Sequence, residues 1–166
     1  MSHRLPADRE DELELFDRLL SGQIDRRSLL IKAPGGRGKS TLLKAFIRRC
    51  AGMPHTPVDL KGQTVSLHEI FYEMCDTLGW DHFDAFAQAV SSLAKVKIDR
   101  NILIGRPNIQ VALHAADPDQ RTARRAELTQ AFFDDLRRLP RPPVLIFDTF
   151  EAASPELSEW FCQTFL

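Results

Sequence analysis

The sequence predicts an α/β domain in which helices cover both faces of a parallel sheet. A glycine-rich turn at residues 33–38 separates a short apolar run from an amphipathic helix. A second apolar run, Val144–Phe147, ends in Asp148, and an unbroken apolar run is typical of a strand buried on both faces of a parallel sheet. Apolar residues at helical spacing fill most of the chain between these runs. We therefore expect one three-layer α/β domain over residues 1–166.

The N-terminal elements follow from local patterns. Asp8 caps a first helix with an acidic opening turn, and Gly22 ends it. A first strand is predicted over about residues 28–33, and a helix follows it from Lys39 to Ala51. A short second strand is predicted around Thr56–Leu60.

The remaining elements alternate between helical and extended patterns. The predicted order is a helix opened by the capping box Ser66-x-x-Glu69, a helix over Phe83–Leu93, a small β insertion around 95–114, a long helix opened by Asp117-Pro118, a strand over Val144–Asp148 and a final helix opened by Ser154-Pro155. The insertion is predicted because the apolar period changes there from 3.6 to 2.

Composition excludes several classes of protein. The net charge is −1 with 27% charged residues, so no global field favours nucleic acid or an anionic membrane. No apolar run reaches the roughly 18 residues that a membrane span needs, and the N-terminus has no apolar signal core. The odd number of widely spaced cysteines (Cys50, Cys75 and Cys162) predicts buried thiols in a reducing compartment. We expect a soluble cytoplasmic protein.

The glycine-rich turn has the pattern of a phosphate-binding P-loop. Glycines let the backbone curl so that successive N–H groups point at one anion, and the following helix adds its positive dipole end. Lys39 is expected to reach the β- and γ-phosphates, and the Ser40 hydroxyl to hold Mg²⁺. The predicted nucleotide-binding residues are Ala33, Pro34, Gly35, Gly36, Arg37, Gly38, Lys39, Ser40 and Thr41.

One feature of the sequence weakens the P-loop interpretation, and another supports it over a chance match. Ala33 stands where the strict motif has its first glycine. The strand before the loop and the apolar stripe of the helix after it, however, supply the structural context that the motif requires. The functional interpretation is therefore preferred.

Asp148 supplies the second half of a P-loop site. It follows four apolar residues, as in the Walker B pattern, where the carboxylate holds Mg²⁺. A strand can also end in aspartate for turn chemistry alone. Many P-loop ATPases place a glutamate directly after this aspartate, whereas this chain has Thr149. Glu151 is the nearest candidate to activate water, and a solvated turn residue is an equal alternative.

Three patches of the chain together resemble the STAND branch of P-loop ATPases, which are relatives of AAA+ proteins. Arg9 and Glu10 match the Arg-Glu that opens the first helix of that branch, Ala33–Thr41 its Walker A motif and Val144–Glu151 its Walker B motif. The resemblance implies ATP and Mg²⁺ as ligands, with Lys39 and Glu151 as catalytic candidates and Ser40 and Asp148 as metal ligands. It also suggests that Leu5–Arg9 lies near the adenine.

The chain departs from this branch after Walker B, where a sensor strand and a lid follow in the family. We therefore expect a P-loop NTPase core truncated after the Walker B strand, which binds ATP·Mg²⁺ as a signalling switch and hydrolyses it weakly or with a partner. The expected partners are ATP and either further domains of a larger protein or a second copy, while nucleic acid and membranes are not expected. The alternatives are a non-hydrolysing adaptor and, with less support, a small-molecule kinase.

Overall fold

The computed structural model describes residues 9–60, 67–94, 98–99, 102–103 and 118–165. Six α-helices lie in these ranges: α1 (Glu10–Leu20), α2 (Lys39–Arg49), α3 (Leu67–Leu78), α4 (Asp84–Ala94), α5 (Pro118–Arg138) and α6 (Pro155–Phe165). Short 3-10 turns occur at Trp80–His82 and Phe150–Ala152. Within the described part of the chain, no helix is both long and apolar enough to cross a bilayer.

Within the described ranges, two strands form a parallel sheet. Strand β1 (His55–Asp59) pairs with β4 (Val144–Asp148), and the register places Asp59 beside Asp148. An antiparallel pair, β2 (Ile98–Asp99) and β3 (Ile102–Leu103), lies inside the predicted β insertion. The rest of that insertion, residues 95–97, 100–101 and 104–114, falls outside the described residues, as do the predicted caps Asp8, Ser66 and Asp117.

Strand β4 joins two hydrophobic clusters, because its side chains alternate between the two faces of the sheet. Val144 and Ile146 belong to the first cluster, and Leu145 and Phe147 pack against the second. The first, which we call the α1–α2 cluster, includes Phe16 stacked on Phe46 at 4.1 Å between ring centroids.

The second cluster, here called the aromatic core, fills the space between β1, β4 and helices α3–α6. Phe132 lies at its centre, stacked on Phe71 at 4.1 Å and within 5.6 Å of the rings of Phe83 and Phe86. Further rings extend the aromatic core in both directions. Trp80 contacts Tyr72 and Phe86 at one end, while Trp160 and Phe161 connect Phe71 to Phe147 and Phe150 at the other.

A buried carboxylate ties α5 to α4. Asp135 is only 3% exposed, and its Oδ2 accepts a hydrogen bond of 2.9 Å from the backbone N–H of Phe86 in the first turn of α4. The Arg138 guanidinium donates to the other oxygen at 3.2 Å. Because the first N–H groups of a helix have no intrahelical partner, this carboxylate from a neighbouring helix serves as the cap of α4.

The prediction of a first strand over residues 28–33 is wrong for this structure. Leu29 and Ile31 are half-buried in the α1–α2 cluster and Leu30 is 57% exposed, so the side chains alternate as in a strand. No strand is assigned there, however, and among the described residues β4 pairs only with β1. A strand exists only where its backbone groups pair with a neighbouring strand, and side-chain alternation alone does not supply one.

Two predictions of burial also need correction. Only Ile146 of β4 is fully buried, because the strand has a single neighbour in the described sheet instead of the two that cover a central strand. Cys162, expected to be buried, is exposed on α6, whereas Cys50 and Cys75 are buried as expected. Burial raises the pKa of both buried thiols above the ordinary value, and nearby carboxylates add to the effect at Cys75.

Candidate functional site

The glycine-rich loop leads directly into α2. Gly36 and Gly38 have φ values of 74° and 75°, a left-handed conformation that residues with a Cβ rarely adopt. A Cβ atom placed on Gly35, Gly36 or Gly38 would meet no heavy atom within 4 Å. The loop is therefore open to a ligand, and the positive φ values explain why positions 36 and 38 need glycine.

The first turn of α2 offers unpaired N–H donors. The helix begins at Lys39, its first intrahelical bond joins the N–H of Leu42 to the carbonyl of Gly38 at 2.9 Å, and no side chain caps it. In the described part of the chain, the N–H groups of Lys39, Ser40 and Thr41 have no protein acceptor. Such donors, together with the helix dipole, suit an anion such as phosphate.

Lys39 holds its ammonium group at the start of the loop. Its Nζ donates to the carbonyl of Ala33 at 2.6 Å and approaches that of Pro34 at 3.4 Å. The side chain therefore folds back toward the start of the loop that precedes it, so its positive charge lies against the loop backbone. The side chains of Arg37 and Ser40 are exposed, and nothing in the described structure holds either of them.

Asp148 lies at the carboxyl end of β4, as predicted. Its Oδ1 accepts a hydrogen bond of 2.8 Å from the N–H of Thr149, which fixes the carboxylate and leaves Oδ2 without a described partner. Sequence reasoning missed Asp59, the register neighbour of Asp148 on β1. The available indication was its position at the end of the other predicted strand, since carboxyl ends of parallel strands meet at one edge.

The residue after Asp148 has an unusual backbone conformation. Thr149 has a φ of 59° and is the one non-glycine residue with positive φ among those described. A β-branched residue is strained in this region, and such strain tends to accumulate at functional sites. Thr149 starts the turn Phe150–Ala152, in which Phe150 packs on Phe161 while Glu151 is exposed.

The two halves of the site share a hydrophobic cluster. Leu29, Ile31 and Leu42 on the loop side meet Ile146 in the α1–α2 cluster. No hydrogen bond or ion pair among the described residues joins Ala33–Thr41 to Asp148 or Glu151. The fold thus holds the glycine-rich loop and the Asp148 strand together through apolar side chains. The polar groups of the loop and of Asp148 remain available for a ligand.

The described residues contain no group of three histidine, cysteine, aspartate or glutamate side chains that could hold a metal ion. The Ser40 hydroxyl and the Asp148 carboxylate are both hard oxygen ligands, which Mg²⁺ accepts as a minority of its shell beside water and nucleotide phosphates. The donor set therefore fits Mg²⁺ brought in with a nucleotide.

Comparison with known families agrees with this geometry. The family model described as "AAA ATPase domain" matches residues 6–164, a range that includes the loop, α2 and the Asp148 turn. No curated protein matches the chain, and no solved structure matches it either.

Proposed function

The chain belongs to the AAA ATPase domain family, and we propose that it binds ATP·Mg²⁺ as a nucleotide-dependent switch. The observation that carries this proposal is the glycine loop running into α2, with the Lys39 ammonium held against the loop backbone and the first N–H groups of α2 uncapped. A cation and several N–H groups that converge on one small volume are the features by which proteins bind the phosphates of a nucleotide.

Each residue of the site then has a distinct role. The N–H groups from Gly36 to Thr41 would surround the β-phosphate, and Lys39 would release its carbonyl partners to bridge the β- and γ-phosphates. The Ser40 hydroxyl and Asp148 would hold Mg²⁺. When bound, the metal ion would neutralise phosphate charge. ATP rather than GTP is proposed from the family alone.

Hydrolysis is proposed to be slow or dependent on a partner. A water molecule needs a group that orients or deprotonates it, and the position after Asp148 is taken by Thr149. Glu151 is exposed, and no hydrogen bond joins it to Asp148 among the described residues. A neighbouring domain or a second copy could move this turn, which would make turnover responsive to assembly, as in STAND-type switches.

The same observations support a second candidate, a non-hydrolysing adaptor. An exposed Glu151 and a strained Thr149 are compatible with a domain that keeps its P-loop for binding or stability alone. Nucleotide binding with no phosphate release, even at high protein concentration, would favour the adaptor over the switch.

The role of Asp148 is tested by the metal dependence of binding. We expect a fluorescent ATP analogue to bind the wild type saturably and about tenfold more tightly with Mg²⁺ than with EDTA. The variant Asp148→Asn keeps the size of the side chain and removes its charge, so the advantage given by Mg²⁺ should disappear while binding in EDTA changes little.

The control for this experiment is Asp81→Asn, which removes an exposed carboxylate between α3 and α4 and should retain the full metal effect. Equal Mg²⁺ dependence in Asp148→Asn and wild type would remove Asp148 from the site. No binding by folded wild-type protein would overturn the proposed function.

A further inference from the structure

Arg9, immediately before α1, contacts the middle of the phosphate loop. Its Nη2 donates a hydrogen bond of 3.0 Å to the backbone carbonyl of Arg37, 28 residues further along the chain. Its Nη1 pairs with the carboxylate of Glu12, one turn into α1. The Arg9 side chain is only 20% exposed, so the guanidinium is held between helix and loop instead of extending into solvent.

The contact fixes the orientation of one peptide group. The described chain has no cis peptide bonds, so in the peptide joining Arg37 to Gly38 the C=O and the N–H point in opposite directions. A carbonyl directed at Arg9 therefore directs the N–H of Gly38 away from Arg9. This N–H immediately precedes the unpaired donors of Lys39, Ser40 and Thr41.

The Arg37–Gly38 peptide needs an external restraint because the glycines beside it allow a wide range of backbone conformations. Glycines lie on both sides of Arg37, each with positive φ, and glycine restricts its backbone less than any other residue. The loop has no other hydrogen bond to α1 among the described residues. Two glycines would otherwise allow this peptide to rotate. Arg9, the residue that precedes α1, restrains it through a hydrogen bond.

Glu12 keeps Arg9 in place. Its carboxylate accepts from Nη1 and leaves Nη2 directed at the loop. The hydrogen bond from Arg9 lowers the pKa of Glu12 below its ordinary value, so the carboxylate is charged at neutral pH. A charged pair with a planar guanidinium gives a defined geometry that a lysine could not reproduce at both partners.

We propose that Arg9 is a positioning residue that holds the Arg37–Gly38 peptide with its N–H facing the nucleotide phosphates. The inference rests on the proposed function, since it concerns how strongly the same loop binds phosphate. It differs from a contact between this segment and the adenine base, because the group that Arg9 touches is the loop backbone.

The test compares two ligands that share phosphates and differ in the base. Isothermal titration gives the affinities of ATP and of inorganic tripolyphosphate for wild type and for Arg9→Gln, both measured without Mg²⁺. We expect the substitution to weaken both ligands by about the same factor, roughly tenfold, since a charge-assisted hydrogen bond to the loop is lost. Glu12→Gln, which leaves Arg9 present but less firmly held, should produce a smaller loss for both ligands.

A matched control separates loop orientation from packing of α1. Arg49 on α2 forms an ion pair with Asp17 on α1 at 2.9 Å, so Arg49→Gln removes an arginine contact between α1 and its neighbour without touching the loop. We expect this variant to bind both ligands as the wild type does. Thermal unfolding followed by circular dichroism verifies that all the variants are folded.

Three outcomes would overturn the inference alone. Loss of ATP affinity with tripolyphosphate affinity unchanged would assign Arg9 to the base or sugar. Equal losses in Arg9→Gln and Arg49→Gln would show that only the packing of α1 matters, and unchanged affinities in Arg9→Gln would show that the contact has no effect on binding. Failure of wild type to bind either ligand would overturn the proposed function itself, and this inference with it.

Discussion

Replacing Phe132 by alanine is expected to lower the free energy of unfolding by about 4 kcal/mol, the largest effect on stability predicted for a single substitution in this chain. Phe132 is 1% exposed and contacts Phe71, Phe83, Phe86 and Phe133. The alanine variant loses the burial of a whole ring and leaves a cavity whose rigid aromatic walls cannot collapse into it.

Urea unfolding followed by far-UV circular dichroism measures this effect. The conservative change Phe132→Leu should cost less than the alanine variant, because most of the volume is kept. The control Thr122→Ala lies on the exposed part of the same helix and should stay within about 0.5 kcal/mol of wild type. A loss below about 1 kcal/mol in Phe132→Ala would mean that the aromatic core is not the main source of stability.

Replacing Lys39 by alanine is expected to weaken ATP·Mg²⁺ binding at least about 100-fold, or roughly 2.7 kcal/mol. The ammonium already lies against the loop, 2.6 Å from the Ala33 carbonyl, and a phosphate bound by the loop would offer it a charged partner in place of this neutral one. The nucleotide phosphates carry several negative charges. Loss of a protein cation that contacts them should therefore reduce the binding free energy more than loss of a neutral hydrogen bond.

The matched control for this prediction is Lys44→Ala, which removes an exposed lysine from the same helix and should leave the affinity unchanged. Both variants are compared with wild type by titration of the fluorescent ATP analogue. If Lys39→Ala lowers the affinity by less than about threefold, the loop is not the phosphate site, since a phosphate bound there would contact this ammonium group.

The helices were predictable because the patterns that determine them lie in neighbouring residues of the sequence. Apolar residues at intervals of three and four, with glycine after the last turn, define α1, α2 and α3 from sequence alone, and Gly22, Gly52 and Gly79 have the positive φ expected at these ends. The helix bounds differ from the predictions only by a few residues. The loop was equally predictable, since its conformation depends on glycines that are visible in the sequence.

The features that escaped prediction depend on residues far apart in the chain. The segment over 28–33 has the pattern of a strand, but pairing is decided by a neighbour that no local pattern reveals. No local pattern marks Asp135 as buried, because its burial follows only from where α4 begins. Arg9 was recognised as part of a motif, whereas its partner Arg37 could be identified only in three dimensions.

The strain at Thr149 had no sequence signature at all. Asparagine, aspartate and glycine are the residues whose presence predicts a left-handed conformation, and a threonine gives the opposite indication. Its conformation follows from the turn that brings Phe150 against Phe161 while the Asp148 carboxylate accepts the N–H of Thr149.

The aromatic core also gives this protein an internal optical probe. Of the two tryptophans in the chain, Trp160 is linked through Phe161 to Phe147 and Phe150, the rings on either side of Asp148 and Thr149. Trp80 lies at the opposite end, against Tyr72 and Phe86. We therefore expect a rearrangement of the Asp148 turn that moves Phe161 to change the emission of Trp160 and to leave that of Trp80 little changed.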